Sequence, residues 1–150
     1  MIIDSHCHLE YEPMSLTLKE TIARANKDGV KYLLTISTTD KSLEKILKIT
    51  NDFDCVYGTY GIHPHEAKNH KNIKSKDIIE KINLNKKIIG IGETGLDFYY
   101  NHSEKKRSDK MFIRTYTISS NFKYSLNYSH KICWKRNFRY FKKKKNRKKF

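Results

Sequence analysis

The sequence predicts an α/β fold whose strands run parallel, and three observations lead there. Through the first hundred residues, short apolar runs alternate with segments that carry one apolar stripe at helical spacing, the rhythm of a parallel sheet covered by helices. Histidines and a glutamate cluster where three of those runs end, which is where active sites collect in such sheets. The rhythm then breaks near Lys105, where the composition changes.

Residues 2–7, Ile-Ile-Asp-Ser-His-Cys, read as the first strand. On an extended backbone Asp4, His6 and His8 share one face, while Ser5, Cys7 and Leu9 take the other. A helix follows over 15–27, with Leu18, Ile22 and Ala25 in its stripe, Thr17 and Glu20 spaced as a capping box and Gly29 at its end. The β-formers of 30–37, Val-Lys-Tyr-Leu-Leu-Thr-Ile-Ser, make the second strand. Asp40 is positioned to cap a helix striped by Leu43, Ile46 and Leu47. The third strand covers 55–62, interrupted by Gly58 and Gly61 and stopped by Pro64, which cannot continue a ladder. Ser75 is placed to cap a helix packed through Ile78, Ile79 and Ile82, and 87–93 returns as the fourth strand. These make about four βα units without internal repeats.

Length favours one domain with a real core, yet the chain joins two kinds of sequence. Residues 106–150 hold 16 of the 31 basic residues and one of the 16 acidic ones, so the formal charge of +15 lies wholly in that stretch. Ala, Gly, Val, Glu, Gln and Pro are absent there, and Lys, Arg, Asn, Ser, Tyr and Phe dominate. The segment 111–118 looks strand-like but lacks flanking turns, and the lysine-rich block after Phe141 repels itself. The expected organisation is a folded unit over 1–105 and a disordered, basic, low-complexity tail over 106–150. The residue types of that tail are those that adenine/thymine-rich codons yield in another frame, which predicts a shifted reading frame near Lys105.

Cys7, Cys55 and Cys133 form no Cys-x-x-Cys pair, and their odd number makes a poor disulfide framework, so a reducing cytoplasm is expected. The start lacks a basic stretch followed by a long apolar segment, and no run approaches the length of a membrane span.

Three segments carry chemistry. His6 and His8 stand about 7 Å apart along a strand, a spacing at which two neutral imidazoles can grip zinc or a similar divalent ion, with Asp4 placed to orient a ligand. Two histidines on a half-exposed strand bonding to neighbours would look the same. Gly90-Ile-Gly92-Glu93-Thr-Gly95-Leu-Asp97-Phe-Tyr-Tyr100 ends a strand on a carboxylate that could bridge two metals or serve as a turn carboxylate. Its glycines do not form a dinucleotide fingerprint, since no G-x-G-x-x-G opens a helix. Gly61-Ile-His63-Pro64-His65-Glu66 spills polar groups from another strand end, where His63 could bind a phosphate, donate a proton or simply sit in water. His70 and His102 have no such context and are expected in solvent.

Taken together, Asp4-Ser-His6-Cys-His8-Leu, Gly61-Ile-His63-Pro64-His65 and Gly92-Glu93-Thr-Gly95-Leu-Asp97-Phe-Tyr resemble the TatD family of metal-dependent deoxyribonucleases, in that family's order and spacing. The resemblance covers roughly residues 1–105. It implies the N-terminal half, about four βα units, of a TIM-type (β/α)8 barrel, followed by a basic tail foreign to the family. It also implies a hydrolase with two divalent ions (zinc, magnesium or manganese) and DNA as substrate. His6 and His8 would hold one ion, Glu93 would bridge both and act in catalysis, and His63, His65 and Asp97 would contact substrate. The family completes its site with two further histidines and an aspartate on later strands. His130 lies near the spacing of the next histidine, but the residues before it do not read as a buried strand.

Other readings stay open at this point: a different metal hydrolase of the wider amidohydrolase-like group, an inactive or impaired remnant, and a nucleic-acid binder acting through basic residues interleaved with Tyr, Phe and Trp134. Half a barrel leaves strand edges unpaired, so self-association is expected, with no specific protein partner implied.

Overall fold

The computed structural model describes residues 1–70, 72–97, 105–122 and 124–131. Phe98, Tyr99, Tyr100, His102, Cys133, Trp134 and the basic block 141–150 lie outside the described residues, as does the side chain of Asp97. Strands β1 (Ile2–Cys7), β2 (Val30–Thr35), β3 (Val56–Tyr60), β4 (Ile88–Asp97) and β5 (Ser125–Lys131) form one sheet in sequence order. Every neighbouring pair is parallel. Helices α1 (Leu18–Lys27), α2 (Asp40–Asp52), α3 (Ser75–Ile82) and α4 (Lys105–Phe122) make the crossovers. Sequential parallel strands joined by helices curl into half of a barrel.

The periodicity seen in the sequence is what buries the helices. Leu43 and Ile46 of α2, Ile78 and Ile82 of α3 and Met111 and Ile118 of α4 pack with Tyr60, Ile88 and Ile91 of the sheet and with Ile62 just past β3. A second cluster joins Ile22 of α1 and Ile49 of α2 to Leu9, Leu33 and Val56. At about 1.5–3 kcal/mol for each fully buried aliphatic side chain, these two clusters supply the dominant favourable term of the fold.

The element ends correct three expectations. Thr17 stands at the N-cap of α1 but makes no capping bond; its Oγ1 lies 3.3 Å from Thr21 Oγ1 instead. Thr39, not Asp40, caps α2, in a reciprocal box with Ser42. Ser75 is the first residue of α3 rather than its cap, and Asp77 Oδ2 accepts the Lys74 N–H at 2.7 Å.

The larger correction lies beyond Lys105. Regular structure continues: the strand-like 111–118 belongs to α4, and the residues before His130 form β5. Local β-propensity at Ile113, Thr115, Tyr116 and Ile118 yields to packing, because Met111, Phe112, Thr115 and Ile118 recur at helical spacing and are buried. Thr115 Oγ1 meets Thr94 Oγ1 at 2.9 Å inside that contact. The described sheet therefore has five strands rather than four, and α4 and β5 are not a disordered tail. Among the described residues no helix is long and apolar enough to cross a membrane.

Candidate metal centre

Strand β1 aims His6 at the C-terminal mouth of the sheet, and the chain then drops Leu9 into the core, which leaves His8 beside it. The two rings lie 5.3 Å apart, edge to face. His8 Nδ1 faces two acceptors, Ile36 O at 3.0 Å and Glu10 Oε1 at 3.3 Å. A carbonyl can only accept, so Nδ1 carries the proton and a neutral ring keeps its lone pair on Nε2. Glu10 is fully buried, and its other oxygen accepts from Thr35 Oγ1 at 2.8 Å. The hydrogen bond to Glu10 raises the His8 pKa against the opposing effect of burial, with the nearby Glu93 charge adding to the rise. A buried carboxylate behind a histidine is the arrangement that orients metal-binding imidazoles.

Glu93 arrives from β4. Its N–H donates to Ser37 O at 2.6 Å, while Ser37 Oγ reaches Gly61 O at 3.3 Å, so the ends of β2, β3 and β4 are tied together. Gly61 permits the approach, because a Cβ there would lie 2.6 Å from Gly92 Cα. The Glu93 carboxylate is 12% exposed, with Oε2 4.0 Å from His6 Nε2 and Oε1 3.7 Å from His63 Nε2. His63 Nδ1 accepts the His65 N–H at 3.2 Å, which in a neutral ring leaves the proton on Nε2, toward Glu93.

One ligand atom each from His6, His8 and Glu93 can be chosen so that all three lie within 4.8 Å of one another. Two imidazole nitrogens and a carboxylate oxygen suit a divalent cation, and convergence by roughly an ångström would bring them to bonds of about 2.0–2.2 Å. The residues present therefore fit the metal that the sequence implies. Cys7 is no competing ligand: burial first, then the charges of Asp4 and Glu10, push its thiol up to about 12, and its Sγ donates to Leu34 O at 3.4 Å.

His6, His8, Glu93 and His63 thus come together. His65 packs against the His63 ring at 4.5 Å, nearly perpendicular to it. Asp97 ends β4. Asp4 does not orient a ring; its Oδ1 accepts the N–H of His6 at 3.1 Å, bracing the strand's own backbone. His70 is half-buried rather than solvated, with Nδ1 3.0 Å from Glu66 O. Sequence reasoning missed Glu10 and Asn127, whose Nδ2 lies 3.2 Å from His6 Nδ1. Glu10 lies past the end of β1, beside Tyr11 and Glu12, where a carboxylate reads as surface.

The TatD-related DNase family matches residues 3–149, a span that includes the segment read from composition as foreign to it. A protein of Buchnera aphidicola (subsp. Baizongia pistaciae), named an uncharacterized metal-dependent hydrolase, is 35% identical over 114 residues, covering 74% of this chain and 42% of its own. The Escherichia coli K12 metal-dependent hydrolase YcfH is 28% identical over 115 residues, covering 75% and 42%. The solved structure of the TatD homologue YjjV from Escherichia coli K12 superposes with a TM-score of 0.80 at 19% identity, covering 88% of this chain and 51% of that one. This chain spans less than half the length of those curated relatives and about half of the solved structure. A match over nearly every residue, borne by a fold of the same kind, settles the ancestry: the chain belongs to the TatD-related DNase family.

Proposed function

We propose that the strand-end cluster is a divalent-metal centre for hydrolysis of phosphodiester bonds in DNA. The observation that carries the reading is the convergence of His6, His8 and Glu93 within 4.8 Å, with the lone pair of His8 turned away from Ile36 O and Glu10. His6 and His8 would hold one ion and Glu93 would reach toward a second. Bound divalent ions supply activation of water and stabilisation of charge developing on the phosphoryl oxygens. His63, with its proton on Nε2, donates to a phosphate oxygen or to the leaving oxygen; His65 and Asp97 flank the substrate.

Among the described residues, His6, His8 and Glu93 are the one group of three or more candidate ligands. Metal binding is therefore expected to outlast catalysis, and turnover to be weak. Calorimetric titration with Zn2+ or Mn2+ and cleavage of labelled single-stranded DNA test both parts. His8→Ala and Glu93→Gln should each weaken metal binding at least tenfold and abolish any metal-stimulated cleavage. Tight binding unaffected by either substitution would remove the reading.

The 16 basic residues after Lys105 favour a second reading, DNA affinity independent of the metal. It predicts salt-sensitive binding that survives His8→Ala and falls when residues 132–150 are removed. Deletion from residue 106 is not a clean test, since α4 and β5 belong to the core.

A further inference from the structure

We infer that Asn127 is a positioning residue that sets the tautomer of His6 and follows it when a metal ion is held. The inference rests on the proposed metal centre. Between Ile91 and Thr94 the β4–β5 register shifts, so that Asn127 alone stands opposite Gly92 and Glu93. Gly92 makes the close passage possible: its φ is +144°, and a Cβ there would lie 2.3 Å from Asn127 O and 2.8 Å from Asn127 Cβ. Strand β5 thereby brings an amide to the far side of the His6 ring, with Nδ2 3.2 Å from Nδ1.

An amide nitrogen has only protons to offer, so His6 Nδ1 accepts and the neutral ring keeps its proton on Nε2. That proton faces Glu93 Oε2 at 4.0 Å. The metal-free arrangement is self-consistent, and it is opposite to that of His8, where Ile36 O holds the proton on Nδ1. Ligation through Nε2 requires the lone pair there. The Nε2 proton must then leave to solvent and another be taken up at Nδ1, so the ring stays neutral. Asn127 can follow this exchange by turning its amide over, because Oδ1 then accepts from Nδ1–H in nearly the same shape. A leucine serves neither tautomer, and an aspartate serves only the ligating one.

The test uses the full chain, metal-free, at a pH where histidine is neutral, with long-range 1H–15N spectra reading the His6 tautomer. The unmodified protein should show Nε2–H, Asn127→Asp should show Nδ1–H, and Asn127→Leu should show a mixture. Calorimetry with Zn2+ should find Asn127→Leu weakened about tenfold, at the low end of what loss of an orienting partner costs, and Asn127→Asp at least as tight as the unmodified protein. One tautomer common to all three proteins overturns the inference, as does a Zn2+ affinity indifferent to Asn127→Leu. Should the leucine variant fail to fold, the near-isosteric Asn127→Asp decides through the same spectra. Absence of Zn2+ binding in all three proteins overturns the metal-centre reading instead, and the metal-free spectra then decide the role of Asn127 alone.

Discussion

At the scale of single residues, what distinguishes the histidines is the partner on the second ring nitrogen. Ile36 O makes His8 a donor at Nδ1, and the His65 N–H makes His63 an acceptor there. One ring therefore offers a lone pair at the mouth and the other a proton. His6 and His8 were legible because strand alternation alone puts them on one face. Glu10 was not, because a carboxylate beside Tyr11 and Glu12 reads as surface, and only the fold seals it behind His8 at zero exposure. Glu10→Leu removes the orienting carboxylate without opening a cavity, and should lower Zn2+ affinity by about 10–100-fold. Calorimetry checks this, and an unchanged near-ultraviolet circular dichroism spectrum would show that packing survives. Unchanged affinity would mean that Ile36 O alone orients the ring.

At the scale of elements, Asp40 shows how a misplaced cap turns out to be a tertiary contact. It begins α2 but accepts from Lys81 Nζ of α3 at 2.7 Å and from the Tyr60 hydroxyl of β3. Burial pushes its carboxyl up, yet the hydrogen bonds from Lys81 and Tyr60 outweigh burial and hold it below the usual range. A folded-state pKa below the unfolded one stabilises above about pH 4, and that contribution is lost as the pH falls through the folded value. Asp40→Asn should cost about 1 kcal/mol at neutral pH, since the pair is a third exposed, and should flatten the acid limb of the stability profile followed by urea unfolding.

Helix α4 gives a sharper test of structure beyond Lys105. Phe112 is fully buried, so Phe112→Ala should destabilise by about 3–5 kcal/mol. A disordered segment would show no change in the urea midpoint. The helix was hidden in the sequence because its interior is rich in β-branched and aromatic residues, and its regularity emerges only against β4.

At the scale of the whole molecule, the described helices cover the sheet on one side. Ile3, Tyr32 and Ile89 are 54%, 43% and 46% exposed, and with Leu34 and Tyr57 they line an open apolar groove of about 240 Å3. The described sheet also ends on β1 and β5, each paired on one side only. Exposed apolar surface and unpaired edges favour association. Sedimentation velocity should find concentration-dependent oligomers, reduced in the double variant Ile3→Lys, Ile89→Lys; a monomer at all concentrations would contradict the expectation. The composition change at Lys105 is not a structural boundary, because α4 and β5 extend the same curl.

By itself the sequence determined the parallel α/β plan, the stripes of α1 to α3, and the two strand ends that bear His6, His8 and Glu93, because alternation and helical periodicity are local properties of a chain. The tertiary structure decided which atoms meet. The burial of Glu10 against Thr35, the tautomer that Ile36 O imposes on His8, the fifth strand and the approach of Asn127 over Gly92 all depend on residues far apart in sequence. Hydrogen bonds of that kind have no local signature, since their partners are chosen by how strands and helices pack.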